Sequence, residues 1–133
     1  MNALALALVN KCVETQDPNL DLGFCGLRDE DFNEGGELDL IVRNCTHIKY
    51  LILSNFWNEW DENLNDYKQR KSYNYNNAAH KVNTFSIIPV CFLKLSNLTS
   101  LICAGHFYNH WRIRDMSIVQ HFPNLTHLNF LIL

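Results

Sequence analysis

One short phrase returns through this chain: an aliphatic residue, two others, then leucine, any residue and a second apolar residue. The clearest copy is Leu98-Thr99-Ser100-Leu101-Ile102-Cys103, preceded by Ser96-Asn97. Ile48-Lys49-Tyr50-Leu51-Ile52-Leu53 is a second copy, and Leu125-Thr126-His127-Leu128-Asn129-Phe130 a third. A partial copy, Leu20-Asp21-Leu22 with Cys25 and Leu27, stands first in the chain. Alternate residues of a strand share a face, so Leu-x-Leu places both apolar side chains on one side of a short extended segment. A single such unit cannot bury its own apolar face, whereas stacked copies share a continuous core.

These phrases resemble the leucine-rich repeat, L-x-x-L-x-L-x-x-N/C-x-L. Cys25 stands at the N/C position, while Phe56, His106 and Leu133 occupy it in the other copies, and the intervals between copies are unequal. The resemblance implies an α/β fold: a short, irregular leucine-rich repeat solenoid over residues 17–133, with about four parallel strands on a concave face and helices or turns outside. Ile88-Pro89, followed by Leu95-Ser96-Asn97-Leu98, is similar to the shorter bacterial-type repeat. That mixture resembles bacterial intracellular members of the family. It implies a cytoplasmic fragment of a longer array, serving as the sensing or scaffold part of a signalling protein beside a GTPase or NTPase module. No such module is encoded in the chain itself.

Two segments have helical periodicity for the convex side. In Glu37–Cys45, Leu38, Ile41, Val42 and Cys45 recur at i, i+3, i+4 and i+7; in Asp115–Phe122, Met116 and Val119 do so before Pro123. The opening run Ala3–Val9 is rich in strong helix formers, with Leu4, Leu8 and Cys12 on one face. It lacks a basic leader and is too short for a membrane span. Residues 1–16 are therefore expected to form a capping helix. The stretch 57–84 interrupts the pattern with Trp57, Trp60, Tyr67, Tyr73 and Tyr75 among polar residues, and is expected to be a long polar and aromatic insertion.

A net charge of −3 with scattered Lys and Arg excludes the basic stripe of a nucleic-acid binder. The five cysteines show no C-x-x-C pairing and two fall at inward repeat positions, so buried free thiols in a reducing compartment are expected. Three N-x-T sequons start at Asn44, Asn97 and Asn124, the last two being the repeat's own Asn-Leu-Thr. They leave an extracellular glycosylated recognition domain as an alternative. A weaker alternative is zinc held by Cys103, His106 and His110, for which no fourth ligand is evident. Asp61–Asp66 has the opening of a calcium loop but lacks the required Gly and closing Glu. Asp29, Glu30 and Asp31 are read as a solvated turn, and no catalytic motif is present.

The expected function is non-enzymatic protein binding, without cofactor, metal, nucleic acid or membrane. The residues placed toward the concave face are Asp21, Phe24, Tyr50, Ile52, Asn55, Ser100, Ile102, His127 and Asn129, with Trp57 and Trp60 of the insertion as further contacts. The chain ends on Phe130-Leu131-Ile132-Leu133 without a polar cap, so self-association through that end is a further expectation.

Overall fold

The computed structural model describes residues 3–76, 81–84, 86–103 and 117–129. The elements in chain order are α1 (Ala3–Thr15), β1 (Asn19–Asp21), α2 (Glu37–Val42), β2 (Tyr50–Ile52), β3 (Phe56–Asp61), β4 (Asp66–Lys71), β5 (Ser100–Ile102) and β6 (His127–Asn129). Short 3₁₀ turns cover Asp29–Phe32, Tyr73–Asn76, Val90–Lys94 and Ser117–His121.

The strands β1, β2, β5 and β6 lie side by side in that order as a parallel sheet. The pairing is in register: Leu20, Leu51, Leu101 and Leu128 form one row, flanked by Asn19, Tyr50, Ser100 and His127 on one side and by Asp21, Ile52, Ile102 and Asn129 on the other. Each rung is joined to the next by the same device. The carbonyl of Pro18 accepts from the amides of Lys49 and Tyr50, that of Lys49 from Thr99 and Ser100, and that of Thr99 from Thr126 and His127. Side chains repeat the pattern too: Asn97 Nδ2 donates to the Thr46 carbonyl, and Asn124 Nδ2 to that of Ser96.

Under the sheet, Leu22, Leu53 and Cys103 continue the leucine row into a core closed by Ile48, Phe92, Leu95 and Leu98. Leu20, Leu51 and Leu101 are buried, but Leu128 is 43% exposed. It belongs to the last rung, where β6 pairs only with β5 among the described residues.

On the outer side, Leu38, Val42 and Cys45 are buried and Ile41 packs partly against the core. The helix itself is shorter than expected, ending at Val42 as the amides of Asn44 and Cys45 tighten onto the carbonyls of Ile41 and Val42. Over the described part of Asp115–Phe122 the chain forms a 3₁₀ turn instead of an α-helix. The α1 helix packs on β1 and α2, but its inward line is Ala5, Val9 and Cys12, with Leu4 and Leu8 at the margin. Small residues on that line let the helix approach closely. Gln16 ends it in a left-handed conformation (φ 58°), with its amide bonded to the Cys12 carbonyl.

The segment expected as a long insertion begins as an antiparallel hairpin, β3 with β4. Its turn is held by Asp61, whose Oδ1 accepts from the amides of Asn63 and Leu64, so the calcium-like phrase closes a hairpin. Phe56, at the base, joins a three-ring cluster in which Phe24 meets both Phe56 and Tyr75 edge-on. Gly23 lies where β1 exits against the Ser54 carbonyl and Ser72, and a side chain there would collide with both.

Candidate functional site: an aromatic groove beside the parallel sheet

Side chains alternate across β3 and β4, and Trp60 pairs with Tyr67 across the ladder, their rings edge-to-face at 5.3 Å. The hairpin stands beside the solvent face of the sheet. Asn129 Nδ2, on β6, donates to the Asn58 carbonyl of β3 at 2.6 Å and ties the two together. Between them runs a groove of about 640 Å³. Tyr50, Ser100, Ile102, His127 and Asn129 contribute from the sheet, and Trp57, Trp60 and Tyr67 from the hairpin.

The exposure of the groove is its informative property. Trp60 is 50% exposed, Tyr67 66% and Tyr50 45%, although each offers a large apolar ring. Charge is nearly absent from the walls: Glu59 is ion-paired with Arg70 across the hairpin. Polar groups stand among the rings: Asn58, Ser100, Thr126, His127 and Asn129 line the groove, with the Thr126 hydroxyl 2.9 Å from His127 Nδ1. The groove thus offers rings with both an apolar face and a polar tip, interspersed with hydrogen-bonding groups.

Seven of the sequence candidates therefore meet in one place: Tyr50, Ser100, Ile102, His127, Asn129, Trp57 and Trp60. Asp21 and Ile52 do not join them; they line a separate cavity of about 480 Å³ against α1. Phe24 and Asn55 are buried, so the expectation that they face a partner does not hold. Phe24 turns inward because its backbone is left-handed (φ 53°), which carries its ring into the cluster with Phe56 and Tyr75. Asn55 is internal because its Oδ1 accepts from the amides of Phe24 and Asn83.

Asn83 is the residue that sequence reasoning missed. Its Oδ1 accepts from the amides of Cys25 and Leu27, and its Nδ2 donates to the carbonyls of Leu22 and Leu53. It thus joins the exits of the first two rungs from a distant stretch of chain. Asn74 acts similarly, with Nδ2 donating to the carbonyls of Asp21 and Gly23. Asp21 completes the return of the hairpin, accepting from the Ser72 hydroxyl at 2.6 Å and the Tyr73 amide at 3.0 Å. Burial nonetheless raises its carboxyl above the usual range, against the lowering effect of the hydrogen bonds from Ser72, Gly23 and Tyr73.

The other candidate chemistries fare differently. Cys12 Sγ lies 3.5 Å from His47 Nε2, but burial and then Asp17 push the thiol up to about 11, so it stays protonated near neutrality. The cysteines are free and buried, and burial likewise raises Cys25, Cys45 and Cys91 to about 12. Cys103 is inside the core, while His106 and His110 lie outside the described residues. Among the described residues, no group of three or more His, Cys, Asp or Glu is placed to hold a metal, and no helix is long and apolar enough to cross a membrane. The Asn97 and Asn124 side-chain nitrogens, the sequon acceptors, are engaged as donors to the preceding rungs. No protein family, curated protein or solved structure was found to match the chain.

Proposed function

We propose that this chain is a non-enzymatic protein-binding module built as a short, irregular leucine-rich repeat solenoid, with 1–16 as its N-terminal cap, and that its partner lies along the aromatic groove. The solenoid reading is supported by the in-register leucine row and by the identical carbonyl sharing at each rung junction. The observation that carries the binding reading is the set of exposed rings, Tyr50, Trp60 and Tyr67, facing Ile102 in a groove with little charge. Exposed aromatic residues around a few oriented polar groups are the composition of a contact centre. The free thiols support a cytoplasmic setting as part of this proposal, and the resemblance in repeat type supports a scaffold or sensing role within a larger signalling protein. Self-association through the β6 side is a second proposed contact; the half-exposed Leu128 supports it, while Phe130–Leu133 lie outside the described residues.

The test is affinity capture with intact protein compared across variants. A partner bound by the wild type is expected to be lost with Ile102→Asp and with Trp60→Ala, and kept with Ile52→Asp, whose side chain lies in the separate cavity. Equal capture by all three variants would overturn the groove as the site. Stoichiometric zinc in the purified protein, removed by changing His106 and His110, would overturn the metal-free reading.

A further inference from the structure

On another part of the surface, sharing no lining residue with the aromatic groove, the 3₁₀ turn Asp29–Phe32, the α2 helix and the segment around Ile87–Cys91 enclose a second cleft of about 640 Å³. Its apolar part is open to solvent: Ile87 is 53% exposed and Val90 63%. Behind them Phe32 packs on Phe92 at 5.4 Å, so the apolar wall is continuous with the core. The charge around this wall is one-sided. Asp29, Glu30, Glu34 and Asp39 line the cleft with Arg43 as the single cationic residue among the described lining.

Arg43 is already matched. Its Nη2 and Nε donate to the two Asp39 oxygens at 3.1 and 3.3 Å, and the Gly35 amide adds a third donor. Asp29, Glu30 and Glu34 are left as the net charge of the rim. Asp29 is held in place by the Ser86 amide at 2.8 Å and the Ser86 hydroxyl at 2.6 Å, which orient the carboxylate without neutralising it. Among the described residues Glu30 is ion-paired with Arg28, at 3.7 Å with both side chains mostly exposed, a pairing weak enough for an incoming cation to replace. Exposed aliphatic side chains inside an anionic rim complement a ligand that is cationic and apolar at once.

We propose that this cleft docks a basic, leucine-rich polypeptide segment, its aliphatic side chains on Ile87 and Val90 and its Arg or Lys residues among Asp29, Glu30 and Glu34. The same rim repels nucleic acid and anionic lipid, which leaves a basic polypeptide as the occupant the charges favour.

The experiment titrates the whole protein into a short fluorescein-labelled peptide of alternating arginine and leucine and reads anisotropy. Control peptides carry glutamate for arginine, or serine for leucine. Binding is expected only for the arginine–leucine peptide. Glu30→Gln with Glu34→Gln should weaken it roughly five- to tenfold, the effect of removing two rim charges. Ile87→Ser with Val90→Ser should weaken it comparably, with unchanged circular dichroism in each variant. Trp60→Ala should leave it unaffected, which keeps this cleft distinct from the aromatic groove. No binding, equal binding of the serine peptide, or loss confined to Trp60→Ala would overturn the proposal.

Discussion

Asn83 satisfies four buried backbone groups with one side chain: the amides of Cys25 and Leu27 and the carbonyls of Leu22 and Leu53. Removing one partner leaves each group desolvated and unpaired, so Asn83→Ala should cost about 3–5 kcal/mol, read from urea unfolding. Asn83→Asp keeps the acceptor and loses both donors, and should be similarly damaging. The leucine row gives a graded comparison. Leu101→Ala, fully buried, should cost about 2–5 kcal/mol, and Leu128→Ala, 43% exposed, about 1 kcal/mol or less. Asp21 supplies a pH signature. Its folded-state carboxyl is raised above 3.8 by burial, so the folded chain binds this proton more tightly than the unfolded one. The stability this gives is fully present below the ordinary carboxylate value and is lost as pH rises through the folded-state value. Asp21→Asn should remove that slope in a series of unfolding curves across the acidic range, and an unchanged slope would assign it elsewhere.

At the scale of elements, the hairpin is one wall of the groove and the sheet is the other, joined through Asn129 and the Asn58 carbonyl. Asn129→Ala should raise amide exchange in β3 and β4 by roughly tenfold, the equivalent of one lost hydrogen bond, with little change in global unfolding. The strands of the sheet were legible because Leu-x-Leu is a period-two signal and the phrase recurs. The Glu37 helix was legible by its apolar spacing, though its end was not, since tightening at Asn44 and Cys45 depends on the turn that follows. The hairpin was hidden. Phe56–Asp61 and Asp66–Lys71 carry polar residues on both faces, and Trp60 and Tyr67 identify themselves as partners only once paired. Phe24 and Asn55 were misplaced because extrapolating strand alternation past Asp21 and Ile52 ignores the left-handed turn at Phe24 and the inward pull of Asn83. The asparagines that close the rungs could not be singled out in so asparagine-rich a chain.

For the whole molecule, the five cysteines report on global opening, because all are buried across one core and burial raises every thiol, Cys12 to about 11 and Cys25, Cys45 and Cys91 to about 12. A chromogenic disulfide reagent should react with almost none in the native protein near neutrality and with all five in denaturant, at a native-state rate that follows unfolding. Rapid reaction of one thiol without unfolding would mark a locally mobile region. The carbonyls of Pro18, Lys49 and Thr99 each gather two amides of the following rung, and this holds from Lys49 to Thr99 although the hairpin lies between. The same junction forms whether a short connection or the long stretch carrying the hairpin joins the two strands. The return is fixed separately, by Ser72, Asn74 and Asn83. The hairpin tip, Glu62 to Asn65, is thus an exchangeable cassette: it can be lengthened or replaced by a foreign recognition loop while the groove walls and the register of the sheet stay as they are.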